Sequence, residues 1–134
     1  RGVKHVTTGG AGTTVLGVED SGKLILIDGS AEGNHTITLP LATVSSGLEF
    51  LIILKADNHS ATEILLDSGV TNGIKGMLKK LAASAIANVL AHSNQNLGFG
   101  DSSKAGSRIH LISDGTQYWA VDAVSDVVHV SAFS

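Results

Sequence analysis

The chain has no cysteine, and Pro40 is its only proline among 134 residues. Without thiols there is neither a disulfide framework nor cysteine chemistry, so the fold must rest on packing. Charge is also scarce. Asp, Glu, Lys and Arg make up 16% of the chain, against about 25% in typical soluble domains. Gly, Ser, Thr and Ala stand where Lys and Glu would be. So few charges do not cover a whole monomer surface, and part of that surface is expected to lie against another subunit or partner. Aromatic residues are limited to Phe50, Phe99, Tyr118, Trp119 and Phe133, which leaves little for a broad stacking surface. No run approaches the ~18 apolar residues of a membrane-spanning helix, so no membrane partner is expected. A formal net charge of −3 gives no basic footprint for nucleic acid. The chain opens on Arg1 with no apolar signal segment after it, and residues upstream of Arg1 are expected to be missing.

What is present is strand-like. A chain of this length is expected to form one domain that buries roughly two-thirds of its unfolded surface. Residues 1–18 begin glycine-rich and read as an N-terminal arm or linker, and residues 19–134 as a single β domain. Within the arm, Thr13 to Val18 could form a first short strand. Lys23 to Asp28 and His35 to Leu39 read as strands separated by turns, and Pro40 ends the second because it has no N–H to donate. Leu48 to Ala56 is apolar on both faces, with Leu48, Phe50, Ile52 and Leu54 on one and Leu51 and Ile53 on the other. Such a strand is expected to be covered on both sides, between layers or at a subunit contact. Thr62 to Asp67, Gln95 to Gly100 and Val127 to Phe133 are further expected strands.

Ser107 to Val121 carries the strongest local signal. Two alternating runs flank Asp114-Gly115, which predicts a two-residue hairpin turn. That turn would set Ser113 opposite Thr116 and His110 opposite Trp119. Residues 76–91 are less direct. Leu78, Leu81, Ala82, Ala85, Ile86, Val89 and Leu90 fit helical spacing and predict a short helix, with a pair of short strands as the alternative because Gly73 and Gly76 precede them. The expected fold is therefore mainly β, an antiparallel sandwich or barrel-like module with one short helix. Its expected core or interface residues are Phe50, Ile52, Leu54, Ile109, Leu111 and Trp119. Trp119 is expected to plug the core or cover the hairpin, with a stacking platform as its functional alternative.

Four segments occur in order: DSGKLILID (20–28), HTITLP (35–40), GLEFLIIL (47–54) and RIHLISDGTQYWAV (108–121). This order resembles a β-domain of tailed-bacteriophage virion proteins: capsid decoration proteins, head fibres and tail-fibre segments. The resemblance spans about residues 19–122, and the alanine-rich 76–91 departs from it. It implies a trimeric β-structure on a particle surface without saying which, and the scarcity of aromatics sets the capsid before the tail, with sister subunits and the major capsid protein or other virion proteins as expected partners. The arm, Gly2 to Thr14 and in particular Gly2, Val3, Lys4, His5 and Val6, is the expected docking segment, because it brings little core of its own. The alternative is a receptor- or glycan-binding fibre domain.

Reactive chemistry has weak support. No serine stands in a G-x-S-x-G elbow. Gly9-Gly10-Ala11-Gly12 and Gly98-Phe99-Gly100 lack the phosphate-binding fingerprint. Glu19, Asp20, Glu49, Glu63 and Asp67 fall in turns or at strand ends, where charges mark solvent. Six histidines show no metal-ligand spacing, though His110 and His129 could converge. Asn34-His35-Thr36 and Asn58-His59-Ser60 form sequons that carry no weight without a secretory signal. No enzyme activity, metal or cofactor is expected.

Overall fold

The computed structural model describes residues 2–9, 12–82, 85–125 and 128–129. It is mainly β. Among the described residues the only helical turns are two short 3-10 segments, Val18–Asp20 and Ala42–Val44. The strands are β1 (Val3–Thr7), β2 (Gly12–Val15), β3 (Leu24–Asp28), β4 (His35–Thr38), β5 (Ser46–Leu54), β6 (Ile64–Asp67), β7 (Ile74–Ala82), β8 (Ala85–Asn94), β9 (Asn96–Phe99), β10 (Arg108–Asp114), β11 (Tyr118–Ser125) and β12 (Val128–His129). They form a seven-stranded sheet, β1-β3-β5-β10-β11-β7-β8, and a five-stranded sheet, β12-β9-β6-β4-β2.

Up to β6 the chain alternates between the sheets. The odd strands run parallel in the larger sheet and the even strands parallel in the smaller one. This half of the molecule winds as a two-sided coil. Beyond β6 the pairing is antiparallel, apart from β11 against β7. The mainly β architecture is as expected, but strand directions are mixed where an antiparallel sandwich or barrel-like module was expected. The corners explain the difference, because they carry the chain across the core instead of folding it back. Gly29 sits at such a corner, where a Cβ would stand 1.8 Å from Asn58 Oδ1. The Ala31 carbonyl accepts from Thr8 Oγ1 at 2.8 Å and from Thr62 Oγ1 at 3.0 Å. Side chains thereby satisfy backbone groups that no ladder reaches.

One apolar core lies between the sheets. Ile25, Ile27, Phe50, Ile52, Leu54, Ile109 and Leu111 enter from the larger sheet, and Ile37, Ile64, Leu66, Leu97 and Phe99 from the smaller. Burial alternates along β5 and β10, the period-two signature of a sheet with one face inward.

The helix expected over 76–91 is replaced by strands β7 and β8, paired with each other. Gly76 shows why. Its φ of +145° is not helical, and a Cβ there would lie 2.5 Å from the Ala120 carbonyl oxygen across the β7–β11 ladder. Lys75, Met77 and Lys79 share the outer face of β7, so this stretch also satisfies a two-residue period.

The hairpin turn is displaced by one residue. Ser113 pairs with Tyr118 and Ile112 with Trp119, while His110 faces Asp122. Asp114 N–H donates to the Gln117 carbonyl at 3.0 Å, which makes Gly115-Thr116 the central pair. Of these two, only Gly115 has positive φ (+93°), as in a type II′ connection. Asp114 Oδ1 accepts from the Thr116 and Gln117 N–H groups at 2.8 and 2.9 Å. The aspartate therefore works as an acceptor at the turn's edge, not as a central residue.

The N-terminal segment is also ordered by the fold. Residues 3–7 and 12–15 extend the two sheets as β1 and β2, and Val6 and Leu16 are buried. An arm with little core of its own was expected, with at most a short strand from Thr13 to Val18. Residues with a two-residue apolar period instead added a coil turn. Of the expected strand Val127 to Phe133, Val128 and His129 form β12, and the rest lies outside the described residues.

His35, on β4, is buried and shares a 2.8 Å hydrogen bond between its Nε2 and Thr14 Oγ1 of β2. Burial pushes its pKa below the ordinary value of 6.5. The unfolded chain therefore takes up a proton near pH 6.5 while the folded chain still resists. This stabilisation is whole above pH 6.5 and is lost as pH falls through the lower, folded value. Asp20 behaves similarly at lower pH. Burial alone would raise its pKa, but the Gly17 N–H, Lys23 and Lys4 hold it below 3.8. Melting temperature is thus expected to drop between pH 7 and 5. His35→Gln should flatten that slope, and an unchanged slope would exclude His35 as its source.

Candidate interaction face

The larger sheet turns its second face outward, and strand register orders that face into rows. Val3, Leu24, Leu51, His110 and Asp122 form one, and His5, Leu26, Ile53, Arg108 and Val124 the next. Glu49, Ile112, Trp119 and Lys75 form a third. On β3 and β5 the alternation that buries Ile25, Ile27, Phe50 and Ile52 leaves Leu24, Leu26, Leu51 and Ile53 only half-buried. These four residues, with exposed Val3, make an apolar field over β1, β3 and β5.

A polar seam on β10 bounds this field. His110 Nε2 lies 2.7 Å from Glu49 Oε2, and Arg108 Nε donates to Asp122 Oδ2 at 2.7 Å. Beyond the seam lies a second apolar area, created by a β-bulge. The β10–β11 register slips between His110 and Leu111 and leaves Val121 without a partner. The extra residue keeps Ala120 and Ala123 inward while Trp119, Val121, Asp122 and Val124 face out. Trp119 is 40% exposed, Val121 56% and Met77 on β7 59%. Together with Gly76, Lys79 and Asp122 they line an open groove of about 380 Å³. Trp119 Nε1 donates to Asp114 Oδ2 at 2.8 Å, which fixes the orientation of the indole.

The structure places the expected residues unevenly. Phe50, Ile52, Leu54, Ile109 and Leu111 lie in the core. Trp119 does not: it stands on the outer face, and Tyr118 takes the core position. Val3 and His5 are exposed on β1, while Val6 is buried and Lys4 lies 3.8 Å from Asp20. His110 and His129 do not converge, because β10 and β12 belong to different sheets and His110 lies on the outer face. The carboxylates are dispersed. Asp20 holds Lys23 at 2.9 Å, Glu49 pairs with His110, and Asp67 accepts from Gln95 Nε2 at 3.0 Å. Gly98 marks a close approach of strands and not a phosphate loop. Leu24 and Leu26 were missed as face residues, although KLILID shows the same two-faced apolarity as Leu48 to Ala56. The comparisons with protein-family models and with curated proteins found no match to this chain.

Proposed function

We propose that the chain is a non-enzymatic structural subunit of a tailed-bacteriophage virion, a capsid decoration (cement) or head-fibre protein that acts as a homotrimer on the particle surface. It uses no cofactor, and its partners are copies of itself and the major capsid protein or other virion proteins. One observation carries the reading: the apolar field of exposed Val3 and of Leu24, Leu26, Leu51 and Ile53, which the described chain leaves only half-covered. Full burial of a large apolar side chain gains ~1.5–3 kcal/mol, and for Leu24, Leu26, Leu51 and Ile53 the part still in water remains to be gained on contact. A chain this poor in charge has few other ways to stay dispersed. Threefold closure repeats one contact three times, and the resulting ring can bridge neighbouring capsid subunits.

Leu51→Glu tests the contact at little cost to the fold, because Leu51 points away from the core. Light scattering and native mass spectrometry are expected to show a trimer for the wild type. The variant should remain β-folded by circular dichroism while its dissociation constant rises about 100-fold or more. A wild-type chain that stays monomeric at millimolar concentration would overturn the assembly. A particle map with no density for this chain would overturn the virion role.

A further inference from the structure

We propose that the groove between β7 and β11 binds a carboxylated pyranose, a uronic- or sialic-acid-type unit of an acidic glycan. This goes beyond the assembly role and stands independently of it. β5 and β11, the facing borders of the two areas, are two strands apart in the sheet, roughly 10 Å, and the polar seam on β10 separates the groove from the apolar field over β1, β3 and β5.

Four observations define the ligand. Trp119 offers a flat apolar plate whose position is already set by Asp114, so little conformational freedom is lost when a ring settles on it. The groove, about 380 Å³, falls in the lower range of small-molecule sites. It lies inside the sheet, where β11 is hydrogen-bonded to β10 on one side and β7 on the other. A peptide strand therefore has no free edge there to extend, which disfavours recognition by strand addition. A ligand that stacks on side chains needs no such edge.

Charge narrows the class further. Lys75 is the register partner of Trp119, and Lys79 lines the groove. Neither makes an ion pair among the described residues. They call for an anionic group on the ligand. Asp122 Oδ2 accepts from Arg108 Nε, while Oδ1 takes no hydrogen bond among the described residues and can accept from a hydroxyl. A ligand with an apolar ring face, hydroxyl donors and one carboxylate meets all three demands. A nucleic acid meets only two, since its backbone offers Asp122 few hydroxyl donors.

Trp119 is the only tryptophan in the chain, so intrinsic fluorescence of the full-length protein reports on this groove alone. The probes are tetragalacturonate and tetrasialic acid, with maltotetraose and a ten-nucleotide oligo(dT) as comparators. The expected result is a saturable change in Trp119 emission with at least one acidic oligosaccharide. It should weaken with added salt and by about tenfold in Lys79→Gln, the loss of one charge-assisted contact. Calorimetry on Trp119→Ala should then show no binding. The proposal is overturned by no saturable change with either acidic probe, by equal binding of maltotetraose, by binding of oligo(dT) alone, or by Lys79→Gln matching the wild type.

Discussion

Gly98→Ala is expected to lower the stability of the fold by about 3 kcal/mol or more, at the upper end of what overpacking one methyl group costs. Gly98 lies on β9, opposite Leu65 of β6. A Cβ there would stand 1.8 Å from the Ile64 carbonyl oxygen and 2.9 Å from Leu65 Cα. Those are backbone atoms of the middle strand of the smaller sheet, and they cannot swing aside as a side-chain end would. If β6 moves, Ile64 and Leu66 move with it, and both are fully buried in the core. Gly22→Ala is the matching control. Gly22 has φ +85° with nothing within 4 Å of an added Cβ, so only the left-handed backbone is penalised, at ~1–2 kcal/mol. Urea unfolding should rank Gly98→Ala well below Gly22→Ala in midpoint. Equal midpoints would mean that β9 and β6 are not packed this closely. A domain typically has only ~5–15 kcal/mol of stability in total, so a loss of this size should also reduce the soluble yield.

Much of the larger sheet was legible because its strands repeat a short-range rule. Leu48, Phe50, Ile52 and Leu54 alternate, and the alternation alone sends them to one side. The two-faced apolarity of Leu48 to Ala56 called for cover on both sides, but within the described chain only the inner face is covered and Leu51 and Ile53 stay half-buried. What could not be read is set by contacts between residues far apart in sequence. Gly29 is required by Asn58, Gly76 by Ala120 and Gly98 by Ile64, and no local window contains both members of any pair. The parallel order of β1, β3 and β5 was hidden for a similar reason, since strand direction depends on where a corner delivers the chain. Residues 76–91 misled because apolar residues dense enough to satisfy a helical period can satisfy a strand period too. The candidate groove was partly visible, in that a lone tryptophan invites notice. The bulge at Val121 that opens it had no local signal.

Tyr118→Ala is expected to cost about 3–5 kcal/mol, as for other large aromatic residues removed from a core, and Trp119→Ala less than ~1 kcal/mol. The two neighbours differ because they point to opposite faces of β11: Tyr118 pairs with buried Ser113 on the inner face and Trp119 with Ile112 on the outer one. With the turn at Asp114-Gly115, the pairing would shift by two residues, which keeps the faces of Tyr118 and Trp119 but sets His110 and not Ile112 against Trp119. In the actual register Tyr118 has no exposed surface. Its ring centroid lies 6.3 Å from that of Phe50, and its hydroxyl donates to the Pro40 carbonyl at 2.6 Å, tying β11 to the loop after β4. Tyr118→Phe keeps the ring but leaves that carbonyl without its donor, a smaller loss of ~1–2 kcal/mol. Burial pushes the Tyr118 phenol up to about 12. An unfolded tyrosine releases its proton near pH 10, so the stability linked to this group is complete below pH 10 and declines as pH rises towards 12. Tyr118→Phe should remove that alkaline decline, while Trp119→Ala should leave it in place. If Trp119→Ala proved the more damaging of the two alanine variants, β11 would have to present its faces the other way round, and the outer groove would not exist.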